Sequence, residues 1–181
     1  MIALTIKTPA ATEPVSVADL RAHARLDDNG DDADLERIIT HARAWSEAFT
    51  GRTFIKTVFT LTLDAWPSKG VVALPCAPAL TVDAVRVLDA AYTPTVVASS
   101  AYRLVGQDLV PLDTWPAPGA TYGGIEIDFS AGYGTTGAEV PAGITGAILK
   151  AAAFLNENRE SQPFESGAGA MLAPYKRLFA T

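Results

Sequence analysis

Apolar residues in the first third of the chain recur every three or four positions, which is the spacing of one face of an α-helix. The first such segment begins with Ser16 as its capping residue and extends to about Arg25. The second begins near Asp31 or Asp32 and ends at Gly51. Carboxylates suit the positive end of a helix, and glycine suits the residue after its last turn. The buried face of the second helix is predicted to consist of Leu35, Ile38, Ile39, Ala42, Trp45 and Phe49.

The period of the pattern changes to two after Thr53, which indicates β-strands. Phe59, Leu61 and Leu63 alternate with threonines, and residues 125–130 alternate in the same way. Shorter strand patterns lie at residues 71–74, 85–87, 102–104 and 109–110. Turn residues bound these short patterns, so the region 53–131 is predicted to be a compact antiparallel β module.

Helical spacing returns at Pro141, a residue that the first turn of a helix tolerates. The line formed by Gly143, Ala147 and Ala151 would let another helix approach closely. The buried face is predicted to contain Ile144, Ala147, Ile148, Ala151, Phe154 and Leu155.

The chain is therefore predicted to be a single α+β domain. Its N-terminal helices (residues 1–52) and C-terminal helices (residues 140–181) are expected to form a helical base, with the antiparallel β module (residues 53–139) inserted between them.

The last stretch of the chain carries an apolar stripe at helical spacing. A helix from Ala173 to Ala180 is predicted, with Pro174 in its first turn and Lys176 and Arg177 on the opposite face. It follows the glycine-containing run 166–170, which is expected to be flexible. A helix this short is unstable alone, so it must find a groove on its own body or on another chain. The stripe consists of Met171, Leu172, Tyr175, Leu178 and Phe179.

Charge and composition narrow the possible functions. The 181 residues carry a net charge of −6, which argues against a general binder of nucleic acid or of anionic membranes. Apolar residues make up 49% of the chain, and much of this is alanine, which suits close packing between elements or between subunits. Cys76 is the only cysteine, and a signal peptide or membrane-spanning pattern is not found, so a cytosolic product is expected. The acidity is concentrated at Asp27, Asp28, Asp31, Asp32 and Asp34.

Known catalytic and metal-binding patterns fit the sequence poorly. The aspartate run lacks the glycine and glutamate that a calcium loop needs at its sixth and twelfth positions. The glycine-rich run 132–137 lacks the Lys-Ser/Thr pair of a phosphate loop. His23 and His41 lie on different predicted helices without ligands at metal-binding spacing. Catalytic, cofactor and metal sites are therefore not expected.

Several short segments, taken in order, form a more specific pattern. Residues 13–20 open a short helix, residues 47–52 close a long one, and residues 63–67 end a strand in Trp66-Pro67. The later segments are residues 74–82, 115–116, 125–133, 140–141 and 156–160. Together they resemble the head–tail connector (adaptor) proteins of long-tailed bacteriophages, a family also present in phage-derived gene transfer agents. The resemblance covers almost the whole chain.

The resemblance implies a structural protein of the virion or of a phage-like particle, located at the neck after assembly in the bacterial cytoplasm. Such adaptors form a ring, usually of twelve copies, between the portal and the stopper or tail proteins. DNA passes through the ring without sequence-specific binding, and an acidic wall suits such a channel. The resemblance also implies that the C-terminal segment docks onto the portal. This segment is expected to be largely disordered in the free subunit, with Lys176 and Arg177 orienting the docked helix.

Three alternatives remain open at this point. The C-terminal helix could pack on its own base instead of on the portal. A monomeric ligand-binding module, for example for carbohydrate, could use Trp66, Trp115 and Tyr122 as stacking surfaces, unless they are core or turn aromatics. A small hydrolase would need a catalytic constellation that the sequence does not show.

Overall fold

A computed structural model describes residues 2–26, 31–159 and 162–177. The chain divides into two compact units. The sheet unit consists of residues 1–10 and 56–132, and the helical unit consists of residues 11–55 and 133–181. Both units are therefore built from segments that lie far apart in the sequence.

The sheet unit contains two antiparallel sheets. The larger has the strand order β1-β2-β8-β4-β5, and the smaller has the order β3-β7-β6. A 3₁₀ turn at Ser99–Ala101 precedes β6. The strands are β1 (Ile2–Thr8), β2 (Thr57–Leu63), β3 (Val72–Ala73), β4 (Ala79–Leu88), β5 (Pro94–Val97), β6 (Tyr102–Val105), β7 (Asp108–Pro111) and β8 (Ile125–Ala131).

The core of the sheet unit follows from the register of β2 and β8. Phe59 pairs with Phe129, and Leu61 pairs with Ile127. All four side chains are buried, and the two phenylalanine rings stack with centroids 5.6 Å apart. The alternation of apolar residues and threonines in β2 therefore places one apolar face in the core, as the sequence predicts.

The helical unit contains α1 (Val17–Ala24), α2 (Asp32–Thr50), α3 (Ala142–Glu157) and α4 (Ala168–Leu172). Ser16 and Asp19 form a reciprocal capping box at the start of α1. Asp31 caps α2, and Gly51 ends it with a φ of 67°, a backbone conformation that favours glycine. Short 3₁₀ turns lie at Gly137–Glu139, Pro163–Ser166 and Ala173–Tyr175.

The predicted α+β class is confirmed, and helices from both ends of the chain pack within one unit. The assignment of all of residues 1–52 to helices is wrong, because β1 pairs with β2 in the larger sheet. The edge strand β5 was not predicted either. Pro141 lies one residue before α3, as its capping residue, instead of in its first turn.

Candidate functional site

The C-terminal stripe is packed on the helical unit as far as Arg177. Ala168 and Leu172 of α4 are fully buried, and Tyr175 is half-buried. Met171 keeps 38% of its surface exposed. Leu178 and Phe179 lie outside the described residues. We call residues 168–177 the C-terminal anchor, because its burial ties this part of the chain to the helical unit.

Two hydrogen bonds join the C-terminal anchor to the end of α2. The backbone N–H of Arg177 donates to the carbonyl oxygen of Thr50 over 2.8 Å. The Nε of Arg52 donates to the carbonyl oxygen of Tyr175 over 2.6 Å. Both acceptors are backbone carbonyl oxygens, and the donors are a backbone N–H and the side chain of Arg52, just after α2. These bonds therefore fix the path of the main chain.

The ring of Phe49 contacts the C-terminal anchor at two positions. The ammonium group of Lys176 lies 3.9 Å from the centroid of this ring, which is a cation–π contact. A Cβ atom at Gly169 would lie 3.3 Å from the ring, so the absence of a side chain there permits the close approach. Trp45 stacks on Phe49 with centroids 5.2 Å apart. Lys176 is thus engaged by its own chain.

Tyr175 covers the start of the small-residue line on α3. A Cβ atom at Gly143 would lie 2.5 Å from the hydroxyl oxygen of Tyr175, so only glycine fits beneath this ring. Ala147 and Ala151, further along the line, are fully buried. At Gly143 the close approach is therefore made by the side chain of Tyr175, which lies in a 3₁₀ turn, whereas the spacing predicts another helix.

These contacts correct two expectations about the tail. The helix begins at Ala168 instead of Ala173, because Gly167 adopts a φ of 76° and turns the chain before it. Only a 3₁₀ turn includes Pro174. The expectation that the tail is disordered in the free subunit is also wrong for residues 170–177, since Leu172 is buried and Arg177 is hydrogen-bonded to Thr50. As far as Arg177, the tail therefore packs on the chain's own helical base, which is the alternative to docking that the sequence left open.

The described members of the acidic cluster are used within the helical unit. The Asp31 side chain accepts a hydrogen bond from the backbone N–H of Ala33. Asp32 forms an ion pair with Arg21 over 2.6 Å. Asp34 is paired with Arg37 and, over 3.0 Å, with Arg159. Asp27 and Asp28 lie outside the described residues. A role of this cluster in lining a channel stays a prediction.

The aromatic residues that a carbohydrate site would need are largely occupied. Trp66 and Trp115 stack on each other, with centroids 4.2 Å apart and planes 7° from parallel. Their indole N–H groups donate to the carbonyl oxygens of Pro116 and Gly70, respectively. Tyr122 is exposed, but a single exposed ring does not make a stacking platform. Trp66 and Trp115 are therefore core and turn aromatics.

A group of ion pairs and hydrogen bonds around Glu47 joins segments of the helical unit. Burial raises the pKa of Glu47, although the backbone N–H of Phe54 and the guanidinium of Arg43 both donate to its carboxylate. Arg43 also binds Glu13 over 2.6 Å. These bonds join the loop before α1 to α2. Among the described residues, groups of three or more His, Cys, Asp or Glu able to hold a metal ion are not found.

Sequence reasoning missed Arg52, Phe49 and Gly169 as partners of the tail. Arg52 follows the helix-ending Gly51, but nothing in the sequence marks it as a partner of the tail. Phe49 was assigned to the buried face of α2, but the partner of its exposed side was not predictable.

The described helices are too short or too polar for any of them to span a bilayer.

Comparison with known proteins places this geometry in context. Neither a protein-family model nor a curated protein matches the sequence. Among solved structures, a chain of the virion of a native gene transfer agent (GTA) particle shares 31% identity with a TM-score of 0.85, over 98% of this chain and 97% of that one.

Two further matches come from the necks of such particles. A chain from the neck of an empty GTA particle, solved with C6 symmetry, shares 30% identity with a TM-score of 0.83. A chain from the neck of a native GTA particle, solved with C12 symmetry, shares 30% identity with a TM-score of 0.80. Both alignments cover 100% of this chain and 97% of the other. Since the likeness spans both chains almost completely, the protein belongs to the family of structural neck proteins of gene transfer agent particles.

Proposed function

We propose that the chain is a head–tail connector (adaptor), which forms a ring of twelve copies between the portal and the stopper or tail proteins. The ring extends the DNA channel through which the genome is packaged, retained and ejected. The observation that carries this proposal is the full-length similarity to neck chains solved with C12 and C6 symmetry. A cyclic ring needs two different contact surfaces on each copy, so its interface is heterologous.

The mass of the assembly tests the ring. The protein is measured by mass photometry alone and after mixing with the purified portal protein of the same particle. We expect a complex with twelve copies on each portal ring. A protein that stays monomeric in both measurements contradicts the adaptor role and favours an independent binding module.

We further propose that the C-terminal segment makes the contact with the portal. Among the residues assigned to docking, Leu172 is buried, and Tyr175 and Lys176 contact the helical unit. The side chain of Met171 is exposed, and Leu178 and Phe179 follow the C-terminal anchor. Docking through Leu178 and Phe179 therefore leaves the buried part of the stripe in place. Repetition around a ring multiplies weak single contacts.

A short truncation tests the docking segment. A protein that ends at Arg177 keeps every described contact of the C-terminal anchor and removes Leu178 and Phe179. We expect it to fold with unchanged stability but to lose portal binding. The variant Thr181→Ala is the matched control, since it keeps the apolar residues. Portal binding by the truncated protein would show that docking lies elsewhere.

We propose that the acidic cluster faces the DNA channel, where it prevents adhesion of the passing duplex. The net charge of −6 and the five aspartates within eight positions support this proposal, although Asp34 is paired with Arg37 and Arg159. The protein is expected to show no tight binding to duplex DNA in low salt. Binding that falls steeply as salt rises would contradict the acidic channel.

The proposed role requires no catalysis. Esters, phosphates and glycosides are therefore expected to remain intact when incubated with the purified protein. Hydrolysis that a single substitution abolishes would overturn this part of the proposal.

A further inference from the structure

The C-terminal anchor is held by contacts that do not depend on the residues after it. Ala168 and Leu172 are fully buried, the Lys176 ammonium lies over the Phe49 ring, and the N–H of Arg177 donates to Thr50. The described contacts therefore define a continuous attachment that ends at the residue just before Leu178.

Arg52 holds the C-terminal anchor at its last turn. Its Nε donates to the carbonyl oxygen of Tyr175 over 2.6 Å. The arginine thereby joins the segment after α2 to the segment after α4. A planar guanidinium offers several donors in fixed directions, whereas a lysine ammonium offers a single point charge.

The backbone at Arg52 is itself fixed. The N–H groups of Gly51 and Arg52 both donate to the carbonyl oxygen of Glu47, over 2.9 Å and 3.2 Å. The left-handed conformation of Gly51 permits both hydrogen bonds to the same carbonyl oxygen at the end of α2. Arg52 therefore projects from a rigid helix end, so the position of its guanidinium follows from the position of α2.

We propose that the C-terminal anchor is a fixed mount for the portal-docking residues and that Arg52 is its positioning residue. By binding the Tyr175 carbonyl, Arg52 sets the point on the helical unit from which residues 178–181 begin. Each copy in a ring then presents its docking residues from the same place, which lowers the ordering cost of engaging a symmetric partner. This inference rests on the proposed docking of the C-terminal segment to the portal.

Trypsin tests the mount in the free protein, because Lys176 and Arg177 are cleavage sites within it. We expect the full-length protein to be cut after these residues more slowly, by about tenfold or more, than a synthetic peptide of residues 168–181. The variant Arg52→Ala is expected to be cut several-fold faster than the wild type, because it loses one hydrogen bond while Ala168 and Leu172 stay buried, and Arg52→Lys is expected to lie between. Arg103→Ala, which removes an exposed arginine of β6, is the matched control and should behave as wild type.

Two outcomes of this experiment overturn the inference. One is an equal cleavage rate for Arg52→Ala and the wild type, which would mean that Arg52 does not hold the mount. The other is faster cleavage of Arg52→Ala that is fully accounted for by a lower free energy of global unfolding, since this would reflect global unfolding instead of local release.

Portal binding separates this inference from the proposed function. If docking depends on a fixed mount, Arg52→Ala weakens portal binding and Arg52→Lys restores part of it, while the truncation after Arg177 abolishes binding. If the truncation abolishes binding but Arg52→Ala binds as wild type, the mount is wrong and the docking proposal stands. If the truncated protein binds normally, the docking proposal itself fails.

Discussion

The sheet unit and the helical unit differ in the size of the side chains that fill their cores. In the sheet unit, the central strand β8 contributes Ile125, Ile127 and Phe129, all fully buried. In the helical unit, the buried face of α3 includes the small residues Ala147 and Ala151, along with larger apolar residues. Large side chains make each strand of the sheet dependent on its neighbours, whereas small ones let backbones approach closely.

The two units also differ in how their charged groups are used. In the sheet unit, the carboxylate of Asp128 is 3% exposed and binds Arg86 over 2.7 Å, Lys7 over 2.6 Å and Thr60 over 2.6 Å. These residues belong to four different strands. In the helical unit, the bonds to the C-terminal anchor are made at one end of α2. We infer that the sheet unit resists change as a whole, whereas the C-terminal anchor can open by itself.

The strongest test of this comparison is Phe129→Ala in the sheet unit. Removal of a fully buried phenylalanine is expected to cost about 3–5 kcal/mol, because it leaves a cavity in the core beside Phe59 that the neighbouring residues fill only in part. The free energy of unfolding is measured with urea. Tyr122→Ala, at an exposed position, is the control and should change it by no more than about 0.5 kcal/mol. A loss below about 1 kcal/mol for Phe129→Ala would contradict an interdependent core.

Asp128→Asn is expected to have the next largest effect. It leaves Arg86 and Lys7 without their shared carboxylate, and a loss of about 2–3 kcal/mol in the free energy of unfolding is expected. Thr95→Ala, on the exposed part of β5, serves as the control. If Asp128→Asn is as stable as the control, the four-strand bonding does not contribute to stability.

The pH dependence of the sheet unit sharpens the same point. Burial raises the pKa of Asp128, but hydrogen bonds from Arg86, Lys7 and Thr60 outweigh it and lower the pKa to about 2. Since the folded value lies below the ordinary 3.8, the ionised carboxylate stabilises the fold above about pH 4. This contribution is lost as the pH falls from about 4 to about 2. Urea unfolding across this range should show a smaller loss of stability in Asp128→Asn than in the wild type.

A pair of glycine substitutions on α3 tests the helical unit. A Cβ at Gly143 would meet the Tyr175 hydroxyl at 2.5 Å, so Gly143→Ala is expected to displace the C-terminal anchor at a local cost of about 1–2 kcal/mol. At Gly146 the nearest atom is the end of the Met171 side chain, at 3.4 Å. Gly146→Ala should therefore be tolerated and gain up to about 1 kcal/mol from helix propensity. Trypsin cleavage at Lys176 and Arg177 should therefore be faster in Gly143→Ala than in Gly146→Ala. Equal rates in the two variants would contradict the contact between Gly143 and Tyr175.

The smallest expected effect is that of Lys176→Ala. It removes the ammonium from the Phe49 ring, a contact of about 0.5–1 kcal/mol at an exposed site. Hydrogen exchange at the amide of Arg177 should then be about two to five times faster, since that amide donates to Thr50 within the same anchor. Lys56→Ala, at an exposed position in the sheet unit, is the control. Unchanged exchange in Lys176→Ala would mean that the cation–π contact does not hold the anchor.

The periodic elements of the chain could be predicted from the sequence because burial follows the hydrophobic pattern directly. The helix caps Ser16, Asp31 and Gly51 and the alternating strand β2 are confirmed. The sequence of β1 also alternates, with Leu4 and Ile6 before Thr5 and Lys7. It was missed because an exposed edge strand carries no further sequence signal of its pairing with β2.

The position of the tail could not be predicted in the same way. The glycines at 167 and 169 suggest flexibility, but one supplies a left-handed turn and the other permits contact with Phe49. The contact of Gly169 depends on a partner that is more than a hundred residues away in the sequence, and the turn at Gly167 places the chain for that contact. The hydrogen bond from Arg52 to the Tyr175 carbonyl has no sequence signature at all, because any residue provides that acceptor.

The assembly of the helical unit from both ends of the chain has a consequence for biosynthesis. Residues 11–55 emerge from the ribosome early, but their partners in the same unit lie in residues 133–181. Leu172, which is fully buried in this unit, is made more than a hundred residues after residue 55. Contacts of such large sequence separation form slowly, and here they cannot form before the second segment has left the ribosome. A nascent chain therefore carries an unfinished helical unit until residues 133–177 have been made, so fragments that end before them should be recognised by chaperones and proteases.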